Sequence, residues 1–202
     1  MIDEAGLITP LAIGGGLLLG IVVLAGASGG VHYAVTTDTT PLLGVTAERG
    51  VLAVQAALRM RGVPYSWGGG GPGGPGFGIG RGARTRGFDC SGLTEYAWAT
   101  AGVRIGGDTS AQWNTGARIP RGQIRPGDLI FFADNPADPA TIHHVGLAID
   151  VTRMVHAPST GSTVRIETWA GVPYWEREFI GIIRPRHPHE DMRGHTPSSA
   201  VE

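Results

Sequence analysis

One cysteine stands in 202 residues, at position 90, inside Gly87-Phe88-Asp89-Cys90-Ser91-Gly92-Leu93-Thr94-Glu95-Tyr96-Ala97-Trp98. A lone cysteine cannot close an internal disulfide or supply a CxxC pair, so the fold must rest on an apolar core. Apolar positions recur at Leu93, Tyr96, Ala97, Thr100 and Ala101, the spacing of a half-buried helix. Asp89 is suited to the N-cap and Gly102 to the residue just past the C-terminus. Cys90 then falls in the first turn, where free N–H groups and the helix dipole favour an anion. That placement predicts a lowered thiol pKa and a nucleophile. The plainer reading is a small buried apolar residue.

Bulk properties narrow the classes. The formal net charge is -1 with all 16 basic residues arginine and no basic stripe, which argues against nucleic acid as a partner. The length suits one domain with extensions. Residues 7–27 carry no charge over 21 positions, long enough to cross a bilayer as one helix. Asp3 and Glu4 precede it where a cleaved signal would want positive charge, although Ala25-Gly26-Ala27 resembles a signal-peptidase site. Residues 1–28 are therefore read as an uncleaved transmembrane anchor, or a signal segment if cut. Residues 29–45 form a Gly/Thr-rich linker. A folded domain over 46–187 opens with a helix at about 46–61, capped by Thr46, with Glu48 in its first turn and an apolar face of Val51, Leu52, Val54 and Leu58. The polar residues 188–202 are read as a disordered tail.

Within the domain, the glycine-rich run 70–87 holds Pro72 and Pro75 and cannot be regular structure. No GK[ST] follows, so it is not a phosphate loop. Its place just before Cys90 suits a cleft wall, or else a loose surface insertion. A short capped helix is expected at Asp108–Trp113, a brief strand at 119–123, a turn at Arg125-Pro126-Gly127-Asp128, and a buried strand at 129–132. In Ile142–Asp150 the residues Val145, Leu147 and Ile149 alternate, with His144, Gly146 and Ala148 on the opposite face. Met154–Pro158 is the return strand. Whether it brings His156 to the face of His144 depends on whether the connection is odd or even in length, which the sequence leaves open. Two more strands follow at 164–167 and 179–183.

A thiolate in a helix first turn needs a base to take its proton and return it to the leaving amine. His144 is the candidate base, and His156 could orient its other ring nitrogen. The Cys90 backbone N–H and a neighbour, Ser91 or Tyr65, would meet the oxyanion. His143 is a flanking or cleft-side residue. A zinc site from Cys90, His143, His144 and His156 is the chemical alternative, but it lacks the spacing of a structural zinc motif. No cofactor motif is present.

Asp89-Cys90-Ser91-Gly92-Leu93, Arg125-Pro126-Gly127-Asp128-Leu129-Ile130-Phe131-Phe132, His144-Val145-Gly146-Leu147 and His156-Ala157-Pro158, in that order, resemble the NlpC-type cell-wall endopeptidases. Pro64-Tyr65-Ser66-Trp67-Gly68-Gly69 is similar to the segment ahead of the cysteine in that family. The resemblance implies an α+β, papain-like fold with an N-terminal catalytic helix on a small antiparallel sheet. It implies hydrolysis of an amide in the peptidoglycan stem peptide, commonly between D-γ-glutamyl and diaminopimelate. It makes Cys90 the nucleophile, His144 the base and His156 the third polar residue. Tyr65 would line the oxyanion side, and Asp89 and Ser91 would contact the substrate backbone. The domain would then work outside the cytoplasmic membrane. Two departures are the 21 residues between Trp67 and Asp89, longer than in many relatives, and the lack of a separate wall-binding repeat domain, which the membrane span could replace. Rival readings are a Cys-dependent amidase or acyltransferase, and a non-catalytic wall-binding component of a secretion or conjugation apparatus.

Overall fold

The computed structural model describes residues 21–25, 31–35 and 43–186. The chain divides into two units, 1–41 and 42–202. In the first, strands β1 (Ile21–Ala25) and β2 (Val31–Val35) pair antiparallel, with Ile21 opposite Val35 and Ala25 opposite Val31. The expected membrane helix over 7–27 falls mostly outside the described residues. Its one described piece, Ile21–Ala25, is extended, as its β-branched Ile21, Val22 and Val23 favour. Among the described residues, no helix is long and apolar enough to cross a membrane. The expected tail 188–202 also lies outside the described residues.

The second unit opens with α1 (Leu43–Arg59), which starts three residues before the expected Thr46. Thr46 is therefore not a cap and no acidic residue lies in the first turn. No proline breaks the stretch, so the helix runs through it. It buries Ala53, Val54 and Ala57, while Val51 and Leu52 are exposed, so the expected apolar face is rotated. Small residues win that face because they let α1 lie close against its neighbour. The helix ends in a turn with Gly62 at φ +87.

The glycine-rich segment is packed. Strands β3 (Gly76–Phe77) and β4 (Arg86–Gly87) form a short antiparallel ladder within it. The buried Ser66 hydroxyl lies 2.7 Å from the Thr85 carbonyl and 3.1 Å from that of Gly82, and the Asp89 N–H donates to the Gly69 carbonyl at 2.9 Å. The loop is thus fastened at both ends to the residues that lead into the cysteine. Helix α2 (Cys90–Thr100) follows, with the Asp89 carboxylate accepting from the Gly92 N–H at 2.7 Å as the cap, and Gly102 at φ +78 beyond its end, both as expected.

After α3 (Thr109–Trp113), capped by Asp108, come β5 (Gly116–Arg118), β6 (Leu129–Ala133), β7 (Ile142–Ala148), β8 (Arg153–His156), β9 (Arg165–Thr168), α4 (Pro173–Glu178) and β10 (Phe179–Pro185). The strand expected at 119–123 is instead displaced to β5, since Pro120 removes a ladder donor. The six strands form one antiparallel sheet in the order β5-β10-β6-β7-β8-β9. Both faces are covered. Leu129, Phe131, Val145, Leu147 and Val155 pack with α1 and α2, while Ile130, Phe132, Ala148 and Met154 pack with Trp169 and Trp175. That double burial explains why β6 reads as an unbroken apolar run. This is an α+β architecture with a helix-headed cysteine against an antiparallel sheet.

Candidate active site

Cys90 opens α2, and α2 packs across β7. Ahead of the helix, Tyr65 bridges to Phe88. These elements meet in a cleft of about 760 Å³ whose lining includes Tyr65, Asp89, Cys90, Ser91, His144 and Trp175. Ile79 and Arg81 from the glycine-rich segment, and Gly68 just ahead of it, also line it, so that segment is a wall of the cleft.

The sheet register settles the question of the two histidines. Leu147 pairs with Val155 and Ala148 with Met154, leaving five residues, 149–153, in the connection. The odd length puts His144 and His156 on one face, and the Met154 side chain fills the space over Gly146. His144 Nε2 and His156 Nδ1 lie 2.9 Å apart. Both rings are buried, and both lie against the Trp175 indole at ring separations of 5.5 and 5.6 Å.

The network extends beyond the expected residues. His156 Nε2 lies 3.2 Å from Glu167 Oε2. The Glu167 carboxylate also accepts from Arg165 Nε at 2.8 Å and from the Trp175 indole N–H at 3.0 Å. Glu167 sits opposite Met154 in the β8–β9 ladder, so it reaches His156 along the diagonal of the shared face. Sequence reasoning missed Glu167 because that diagonal exists only once the register is known. Trp175 had an available signal, Pro173 followed by Tyr-Trp-Glu-Arg-Glu, which is a proline-started helix.

Burial dominates the site's electrostatics. It pushes the Cys90 thiol up to about 12, with the Asp89 charge adding to the rise. The N–H groups of Val145, Ser91 and Cys90 pull the other way and are outweighed. The expected lowered thiol pKa is therefore corrected: the helix N-terminus acts, but desolvation of a lone thiolate is larger. Burial likewise holds His144 well below the usual imidazole range, helped by His156 and His143, and brings His156 down to about 4. The cleft thus holds a neutral thiol and neutral imidazoles.

Tyr65, pushed up to about 12 by burial and then by Cys90 and Asp89, stays a phenol able to donate. Burial raises Asp89 above the usual carboxylate range. Ser91 Oγ donates to Asp89 Oδ1 at 3.1 Å, so the cap and the cleft share one carboxylate. His143 lines the cleft edge, 3.4 Å from Glu178 and 3.7 Å from Asp134. Among the described residues, no three His, Cys, Asp or Glu side chains converge as a metal site.

Because Asp89 raises the thiol, Asp89→Asn should move the midpoint of Cys90 alkylation by iodoacetamide to lower pH. Asn keeps the cap, so the helix should persist. An unmoved midpoint would show that the Asp89 charge does not reach the sulfur.

The profile of the NlpC/P60 family matches residues 62–184, more than half of the sequence. The chain belongs to the NlpC/P60 family. Over 113 residues it is 42% identical to the peptidoglycan endopeptidase RipA of Mycolicibacterium smegmatis, covering 56% of this chain and 22% of RipA. Over 160 residues it is 36% identical to the peptidoglycan endopeptidase RipB of Mycobacterium tuberculosis, covering 78% of this chain and 64% of RipB. The chain thus spans less than two thirds of either relative. A solved structure of RipB, called a peptidoglycan hydrolase, matches with a TM-score of 0.62 at 31% identity over 74% of this chain and 71% of that one. RipD of M. tuberculosis, described as a non-catalytic NlpC/p60 domain protein adapted to peptidoglycan binding, matches with a TM-score of 0.57 at 31% identity, over 67% of this chain and 96% of that one. The papain-like α+β NlpC/P60 fold is thereby established for this chain.

Proposed function

We propose that this NlpC/P60 chain is a cysteine endopeptidase that hydrolyses an amide bond of the peptidoglycan stem peptide, the one between D-γ-glutamyl and diaminopimelate. The observation that carries the reading is the shared cleft of Cys90, at the head of α2, and His144, whose Nε2 is engaged 2.9 Å from His156 Nδ1. That contact leaves Nδ1 of His144 as the ring nitrogen available to the thiol.

The chemistry follows from those placements. The Sγ proton passes to His144, and the sulfur adds to the substrate carbonyl. The negative charge on oxygen is met by the Cys90 N–H and the Tyr65 hydroxyl, both donors that stay protonated. The imidazolium of His144 returns the proton to the leaving amine as the C–N bond breaks. Water then attacks the thioester, giving its proton to the same nitrogen, and the thiolate departs and is reprotonated. Asp89 and Ser91, which line the cleft, would contact the substrate backbone. The names of the relatives support peptidoglycan as substrate.

A wall substrate puts the domain outside the cytoplasmic membrane. The uncharged residues 7–27 would hold it there, and carbonate extraction of membranes from expressing cells tests this: release into the soluble fraction rejects insertion. The main test is mass spectrometry of purified muropeptides incubated with the 202-residue chain. New fragments split after D-glutamate are expected. Intact muropeptides together with retained binding to sacculi would replace the enzyme by a wall-binding module of the kind RipD is described as.

A further inference from the structure

We propose that Glu167 is a positioning residue for this hydrolysis, ending a relay Glu167–His156–His144 that fixes which nitrogen of each imidazole carries the proton. The proposal rests on the cysteine-endopeptidase reading for its chemistry, but its geometry can be tested without it.

Glu167 receives Arg165 Nε at 2.8 Å, Arg165 Nη2 at 2.6 Å and the Trp175 indole N–H at 3.0 Å. Arginine and indole only donate, so the carboxylate is an acceptor on both oxygens and is ionised. An ionised carboxylate can only accept from its third neighbour, so His156 Nε2, 3.2 Å away, carries a proton. Burial keeps His156 neutral, so its Nδ1 is bare. A bare Nδ1 must accept, so His144 Nε2, 2.9 Å away, is the donor. His144 is neutral as well, which leaves its Nδ1 as the one lone pair of the relay that can take the thiol proton. Rotating any one ring or moving one proton would leave two lone pairs or two N–H groups facing each other in a buried site.

The same carboxylate has a second effect. When His144 takes the Cys90 proton, positive charge appears on the paired rings, and Glu167 is the negative side chain placed to stabilise it across His156. The other titratable and charged groups around the relay are Arg165 on β9, His143 beside His144 on β7, Cys90 and Asp89 at the head of α2, which line the same cleft as His144, and Glu178 on α4, which approaches His143. Arg165 opposes the effect on His156, and Glu167 outweighs it. Trp175 fixes the carboxylate while covering both rings, so α4 ties the relay to the cleft wall.

Two measurements on the 202-residue chain test this. Nitrogen-15 spectra of the histidine rings at neutral pH should give both His144 and His156 as Nε2–H tautomers; Nδ1–H on His156 overturns the relay. Glu167→Gln keeps the shape and removes the charge. It should lower kcat on muropeptides about 10–100-fold, as losing partners that orient a functional histidine does, with KM within about 2-fold. Removing the negative charge lowers the imidazolium pKa, so the acidic limb of kcat should move to lower pH. Glu167→Asp should recover part of kcat. A kcat loss that follows the folded fraction, with the acidic limb in place, makes Glu167 merely structural and rejects the proposal. If the unmodified chain cleaves nothing, the endopeptidase reading falls, and the tautomers still decide the relay.

Discussion

Replacing Cys90 with alanine is expected to abolish muropeptide cleavage, lowering kcat by at least about 10⁴-fold, because the thioester cannot form without the sulfur. The fold should survive. Cys90 is a small residue at the cleft wall, and losing one buried sulfur costs on the order of 1 kcal/mol, about 2–4 °C in melting temperature for a domain of this size. His144→Ala should reduce kcat to a similar floor but unfold the protein sooner. It removes a ring stacked on Trp175 and leaves His156 Nδ1 buried without its partner. In the proposed mechanism the two side chains act in one step, so the double variant should be no slower than either single one. Turnover kinetics and thermal melts on the three variants check this. A Cys90→Ala chain that still cleaves would end the thiol mechanism, and a double variant slower by the product of the two losses would mean that the residues act separately.

The proposed pair, Cys90 and His144, was legible because its signals are local. Asp89-Cys90-Ser91-Gly92 gives a cap, a first-turn thiol and a tight helix start in four residues. His144 stands out against an alternating strand. What the sequence could not give was anything set by register or burial. The face of His156 depended on a five-residue connection, and Glu167 on a diagonal across β8 and β9. The direction of the thiol shift was misjudged for a related reason. The helix N-terminus can be read from four residues, whereas desolvation depends on Tyr65 and Val145, which pack with Cys90 in one core cluster from distant parts of the sequence. The start of α1 was misplaced because a threonine followed two residues later by a glutamate looks like a cap even when the helix has already begun upstream.

The largest expected loss of stability is at Gly127, in the Arg125-Pro126-Gly127-Asp128 turn. Its φ is +92, which costs an L side chain about 1–2 kcal/mol. A Cβ there would also overlap the backbone of Gly50 in α1, and backbone cannot rotate away. The turn is tied on every side. Gly127 N–H donates to the Ala148 carbonyl at 2.9 Å, Ala148 N–H to the Asp128 carbonyl at 2.8 Å, and the Trp98 indole to the Gly127 carbonyl at 3.1 Å. The buried Asp128 carboxylate holds the Arg125 N–H at 2.8 Å and the Arg184 guanidinium at 2.7 and 2.8 Å. Moving the turn to admit a methyl group would strain α1, α2, β7 and β10 together. Gly127→Ala should therefore cost at least about 3 kcal/mol, a fall of roughly 6–12 °C in melting temperature. Gly161 is the control: its φ is +86 but a Cβ there meets nothing within 4 Å, so Gly161→Ala should cost only the conformational part. Equal melting temperatures for the two variants would mean that α1 does not rest on this turn. A much lower one for Gly127→Ala would identify that contact as what anchors the first helix to the strand bearing His144.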